Sequence, residues 1–283
     1  MTKSMKIGFS PCPNDTFIFG ALACGMVDWP GGLDVTLADV EELNGQAEAG
    51  TLDVVKVSVA AAARILDDYI LLRAGGAMGY GVGPILVTRD VRSLDELDGS
   101  TVAIPGKRTT ANLLFGMLCR EKGITVERRE MVFDEVMPAV RNNEVDAGVV
   151  IHEGRFTYEE QGMRKLLDLG AWWEERKGLP IPLGAIAIRR SLGPGIAWAM
   201  NEAIRISLVH ARSNPDGIVP FIREHAQEMD EDVICEHIET FVTGYSLDVG
   251  KEGEEAVAEL IGEACHMEGL EPPTGEVFIQ RPL

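Results

Sequence analysis

Two α/β lobes followed by helices are the fold this sequence predicts. Three observations carry it: a length of 283 residues, short apolar strand-like runs alternating with amphipathic helical ones, and a final third that is almost wholly helical. A chain of this length exceeds what a single hydrophobic core usually organises, so two compact lobes are expected. Apolar residues make up 46% and charged residues 25%, the composition of a folded globular protein rather than a disordered one.

The opening third has βαβ rhythm. Strand patterns cover residues 5–10, 33–38 and 54–57, and helical patterns begin near Asp15 and cover 40–49. Two further apolar runs, 69–73 and 84–88, flank the segment 75–83, whose five glycines predict a hinge or loop. From about Val91 the rhythm repeats, with strands over 101–104, 128–133 and 147–151, a helix over 109–122 and another after Asp134. The first of these helices has a clear start and stop. Thr109 or Thr110 can cap it, Leu113, Leu114, Met117 and Leu118 share one face, and Gly123 can close it. Asp134 is a similar cap candidate for the second helix.

A faint internal echo links the two halves. Residues 50–57 and 143–150 both run from a helix end through a turn aspartate into a buried strand. At the carboxyl ends of these strands stand Ser58 and His152, where α/β sheets bind ligands. A strand pattern over 184–188 then precedes helices over 197–211, 217–227, 232–241 and 252–266. With crossovers at 88–90 and 183–185, residues 1–89 and 185–283 make a discontinuous first lobe and 90–184 an inserted second lobe, an arrangement that closes around a ligand in a central cleft.

Charge narrows the partners. Acidic residues outnumber basic ones by 45 to 26, a net charge of -19 that repels nucleic acid and anionic membranes. A small anionic ligand then needs backbone N–H groups, helix N-termini or isolated cations such as Lys56 and Arg155. Residues 1–6 lack the apolar core and cleavage site of a signal peptide, and no run is long enough to span a membrane. Five cysteines without C-x-x-C spacing indicate neither a disulfide framework nor a zinc site, so a cytoplasmic protein is expected. No cofactor is expected either, since nucleotide, flavin and nicotinamide fingerprints are missing and His152-Glu153-Gly154-Arg155 is not H-E-x-x-H.

Four segments carry the polar groups that chemistry needs. Residues 10–17, Ser-Pro-Cys-Pro-Asn-Asp-Thr-Phe, join a strand to a helix; they read either as an anion cradle or as a proline turn in which Asn14 or Asp15 caps the helix. Cys12 has no nearby base in sequence and reads as an inert thiol. Lys56-Val57-Ser58 ends an apolar strand with a cation and a hydroxyl, to grip a carboxylate or to snorkel at an edge. Gly106-Lys107-Arg108-Thr109-Thr110-Ala111 feeds a helix N-terminus. His152 surfaces at a strand end beside Glu153, Gly154 and Arg155, a setting for an acid or base that His210, His225, His237 and His266, all in helical segments, do not share. Trp172, Trp173 and Tyr245 could stack on a ligand or pack in the core.

These segments together resemble the 1,4-dihydroxy-6-naphthoate synthase family of the futalosine route to menaquinone, in a superfamily that also holds chorismate dehydratase. The most specific parts are residues 10–17 and 152–155, supported by Lys56-Val57-Ser58 and Thr109-Thr110-Ala111. The resemblance implies a fold like the type II periplasmic solute-binding proteins. It also implies a lyase that converts cyclic dehypoxanthine futalosine to 1,4-dihydroxy-6-naphthoate by carbon–carbon cleavage without a redox cofactor. In it His152 would accept the proton, and Lys56, Val57, Ser58, Thr109, Thr110, Ala111 and Asn14 would hold the substrate. A chorismate dehydratase-like enzyme and a non-catalytic anion-binding protein are the alternatives.

Overall fold

The computed structural model of the protein describes residues 4–91, 93–226 and 230–281. In chain order the elements are β1 (Met5–Phe9), α1 (Pro13–Ala23), β2 (Leu33–Leu37), α2 (Val40–Glu48), β3 (Val54–Ser58), α3 (Val59–Ala62), β4 (Tyr69–Leu71), β5 (Ala77–Gly79) and β6 (Ile85–Thr88). There follow β7 (Thr101–Ile104), α4 (Thr110–Lys122), β8 (Glu127–Glu130), α5 (Phe133–Arg141), β9 (Ala147–Val150), α6 (Gly154–Thr157), β10 (Arg164–Asp168) and α7 (Leu169–Lys177). The chain ends with β11 (Ile181–Arg189), α8 (Pro194–Ser213), α9 (Pro215–His225), α10 (Glu231–Phe241) and α11 (Gly250–Glu268). The expected end of the 217–227 helix, Gln227, lies outside the described residues.

The chain divides into two compact units, Met1–Gly79 with Pro182–Leu283, and Tyr80–Ile181. The first changeover therefore precedes β6. That strand, expected to finish the first lobe, pairs antiparallel with both β9 and β10 and lies in the second unit. The second changeover falls at β11, whose residues from Gly184 to Ile188 pair with β3.

The first unit is built on a six-stranded sheet in the order β2-β1-β3-β11-β4, with β5 paired to β11. Strand β1 runs parallel to β2 and β3, and β11 antiparallel to β3 and β4. Val54, Val55 and Val57 are fully buried, the continuous β-branched run of a strand covered on both faces. Helix α1 is buried from Pro13 to Leu22, because α8, α9 and α10 enclose it. A buried hydroxyl ties two of these helices: Ser207 of α8 donates to the Ile18 carbonyl at 2.7 Å and accepts from the Leu22 N–H at 3.1 Å.

The second unit has a five-stranded sheet, β10-β6-β9-β7-β8, in which β7 is parallel to β8 and β9. Helix α4 starts and stops as its sequence predicts. The Thr109 hydroxyl accepts from the Asn112 N–H at 3.1 Å, and Gly123 closes the helix in the left-handed region at φ 67°. Strand β8 is shorter than expected, since the exposed run Glu127–Glu130 pairs with β7 and Phe133 turns inward to begin α5. Asp134 sits inside the first turn of α5, and Val132 takes the cap position. Strand β10 and helix α7 were not anticipated, although Asp168, which caps α7 by accepting from the Ala171 N–H, and Gly178 at its end are ordinary boundary signals.

The glycine-rich segment, within which one unit gives way to the other, is part strand and part loop. Residues 77–79 form β5, and a Cβ on Gly83 would come within 2.2 Å of the Gly170 Cα, so two backbones meet there with no room for a side chain.

Candidate active site

In the first unit the sequence-predicted residues gather where β1 and β3, parallel neighbours, end. Helix α1 begins at Pro13, two residues before Asp15, which frees the Asp15 carboxylate from any capping role. Instead four donors converge on it. Ser10 gives its hydroxyl at 2.9 Å and its N–H at 3.2 Å, Asn14 gives its side-chain N–H at 2.8 Å, and the Lys56 ammonium approaches to 2.5 Å. The anion that the 10–17 segment cradles is thus the chain's own. Lys56 is only 5% exposed and Asp15 2%, so the lysine does not snorkel; the carboxylate compensates its charge inside the core. A second Lys56 bond goes to the Gly75 carbonyl at 3.3 Å.

Ser58 ends β3 beside this cluster. Its N–H donates to the Asn44 side-chain oxygen at 2.9 Å and its hydroxyl accepts from the Asn44 amide nitrogen at 3.0 Å, so a buried asparagine of α2 fixes the serine at both atoms. Val57, between Lys56 and Ser58, is fully buried and pairs with Ala185 of β11. Asn14 meets a residue that the sequence left unassigned: His237 of α10, fully buried, places Nε2 3.0 Å from the Asn14 side-chain oxygen. Asp15 draws Ser10 and Asn14 from its own segment, whereas its pairing with Lys56, Asn44 with Ser58 and His237 with Asn14 span 41, 14 and 223 residues, which no local signal announces.

The second unit assembles its candidates at the corresponding edge. β7 and β9 are parallel neighbours, so the 106–111 loop that follows β7 and the His152 turn that follows β9 leave the sheet on the same side. Thr109 is buried, and its hydroxyl donates to the Gly106 carbonyl at 2.8 Å while capping α4. Thr110 and Ala111, also buried, form the first turn of α4.

His152 adopts a left-handed backbone at φ 58°, one of two non-glycine residues with positive φ among those described. A histidine in this region carries strain, and such strain collects where function demands an orientation. The twist ends β9 and starts the short α6, with the Arg155 N–H donating to the His152 carbonyl at 3.2 Å. The imidazole is half-buried and packs on the Phe133 ring, with centroids 4.8 Å apart at 44°. Arg155 is committed to structure: its guanidinium donates to the Gly83 carbonyl at 2.6 Å and pairs with Asp168 at 2.7 Å.

Other candidates recede. Burial pushes the Cys119 and Cys265 thiols above their usual pKa, away from nucleophilic thiolate character. Trp173 is a core residue whose indole N–H donates to the Pro180 carbonyl at 3.2 Å, and Trp172 stacks under the Arg176 guanidinium. Among the described residues no cluster of three or more His, Cys, Asp or Glu could hold a metal ion, and no helix is long and apolar enough to cross a membrane.

Paired α/β units with polar groups at the carboxyl edges of their sheets define a periplasmic-binding-protein-like fold. Solved structures agree: the periplasmic aliphatic sulphonate binding protein SsuA of Escherichia coli matches with a TM-score of 0.67 over 100% of this chain and 94% of that one, at 12% identity. Protein AF1704 of Archaeoglobus fulgidus matches with a TM-score of 0.87 at 32% identity, over 95% of this chain and 98% of that one. Residues 5–266 match the family model described as menaquinone biosynthesis. Proteins named 1,4-dihydroxy-6-naphthoate synthase from Thermus thermophilus and Streptomyces coelicolor are 48% and 47% identical, the first over 96% of this chain and 97% of its own length, the second over 96% of each. The chain belongs to this menaquinone biosynthesis family and is an enzyme of that pathway, as the motifs indicated.

Proposed function

We propose that this enzyme converts cyclic dehypoxanthine futalosine to 1,4-dihydroxy-6-naphthoate by carbon–carbon cleavage in the cytoplasm, with His152 as the base. The observation that carries the assignment of the base is the left-handed His152 at the carboxyl edge of its sheet, in a chain nearly half identical to two synthases of that name. An imidazole can accept a proton on one ring nitrogen and later release it, which is what a general base must do.

The substrate in this reading is a small anion, with Asn14, Lys56, Val57 and Ser58 as the candidate contacts that the first unit offers and Thr109, Thr110 and Ala111 as those that the second offers. The Asp15 carboxylate and the Gly75 carbonyl occupy two of the three Lys56 N–H donors, and the third is left for a substrate oxygen. Ser58 accepts from Asn44, which leaves its hydroxyl proton to donate. The first turn of the 13-residue α4 directs backbone N–H groups and the positive end of its dipole outward, a complement to carboxylate or developing oxyanion charge.

The fold is shared with solute-binding proteins, so binding without turnover is the reading to exclude. Purified protein is given cyclic dehypoxanthine futalosine and chorismate in separate reactions, and product formation is followed. Turnover of the first alone is expected, and His152→Ala should lower kcat by about 10²–10⁴-fold while substrate still binds. Consumption of chorismate, binding without turnover, or a His152→Ala enzyme of near-normal rate would each overturn the assignment.

A further inference from the structure

His237 is 223 residues from Asn14 in the chain and fully buried in the fold, yet its Nε2 lies 3.0 Å from the Asn14 side-chain oxygen. The direction of that bond follows from the far side of Asn14. The Asp15 carboxylate, paired with Lys56, can only accept, so the Asn14 nitrogen must face it and the Asn14 oxygen must face the histidine. A side-chain carbonyl cannot donate. The ring nitrogen therefore carries the proton, and His237 is held with its hydrogen on Nε2. Packing fixes the ring as well, since its centroid lies 4.7 Å from that of Phe241.

The donors converge on Asp15: imidazole N–H to the Asn14 oxygen, Asn14 N–H to one Asp15 oxygen, Lys56 N–H to that same oxygen, and Ser10 to the other. Each link restricts the next. Without the histidine donor the Asn14 amide loses the bond that keeps its nitrogen toward Asp15, and the carboxylate loses a donor that sets its rotation. We infer that His237 is a positioning residue: acting through Asn14 and Asp15, it sets the direction of the Lys56 ammonium and so the grip on the substrate. The inference rests on the proposal that Lys56 holds the substrate.

A merely structural histidine and a positioning one differ in what rescues them. Glutamine can place an amide N–H where Nε2–H stands, whereas phenylalanine fills the space without a donor. His237→Phe is expected to raise KM about tenfold or more, with kcat changed by less than about threefold, the signature of lost uniform binding. His237→Gln should restore KM to near the wild-type value. A His237→Phe enzyme with wild-type KM, or a His237→Gln enzyme as impaired as the phenylalanine variant, overturns the inference.

Two measurements on the unmodified enzyme need no variant to fold. Nitrogen NMR of histidine-labelled protein should find hydrogen on Nε2 of His237; a ring protonated on Nδ1 alone overturns the inference. Carbon NMR of lysine-labelled protein should show the Lys56 side chain shifting when substrate is added. A Lys56 signal indifferent to substrate overturns the proposed grip and the positioning role with it. A shift in Lys56 together with an unimpaired His237→Phe enzyme overturns the positioning role alone.

Discussion

The two units share one plan and fill it differently. β1-α1-β2-α2-β3 and β7-α4-β8-α5-β9 are the same βαβαβ unit, each with its third strand flanked by a parallel neighbour on one side and an antiparallel one, β11 or β6, on the other. In the first unit Ser58, Lys56 and Asn14 each bond a residue 14, 41 or 223 positions away in the chain, beside the local bonds from Ser10 and Asn14 to Asp15. In the second, Thr109 bonds within three residues of itself and His152 takes a left-handed turn that packs its ring on Phe133. A fold repeat thus preserves where side chains emerge without preserving how they are secured. The buried charge needs long-range partners because no water compensates it, whereas a helix cap or a turn completes itself locally.

The contrast predicts unequal responses to mutation. Breaking the first unit's network at one member leaves an uncompensated buried charge, so Lys56→Met or Asp15→Leu alone should cost about 3–5 kcal/mol in denaturant unfolding. The double variant should lose much less than the sum. Additive losses would show that the pair is not coupled. At His152 the strain itself is measurable. Since a left-handed backbone burdens any residue with a Cβ, His152→Gly should be more stable than His152→Ala by about 1–2 kcal/mol, with the rate of both expected to fall as proposed for His152→Ala. Equal stability would remove strain from the description of the second unit. The smallest effect belongs to the local cap: Thr109→Ala should cost about 1 kcal/mol in thermal or denaturant unfolding, with Thr109→Ser close to wild type.

Much of this was legible because it is local. Alternating apolar runs gave β1, β3, β7 and β9 within a residue or two, and the threonine and glycine at its ends gave α4. The echo between residues 50–57 and 143–150 proved to be the turn and strand that close the repeated unit, from the end of α2 into β3 and from the end of α5 into β9. Short elements were missed: β10 alternates poorly, and α7 carries tryptophans without a clear apolar stripe. The first crossover was placed after β6 because an apolar strand does not state in its own residues which sheet it will join; its pairing with β9 and β10 decides that.

The candidate site divides in the same way. Position along the chain was enough to bring out His152 at a strand end, Thr109 at a helix start, and the 10–17 segment between strand and helix. It could not reveal that the 10–17 donors are turned onto Asp15, that Lys56 is sealed against that carboxylate, or that His237, one helical histidine among four, stands behind Asn14. Periodicity and capping are written in neighbouring residues, so the sequence by itself determined most of the longer elements, the repeated unit and the family. Compensation of a buried charge is settled between segments that only folding brings together, and there the tertiary structure alone decided.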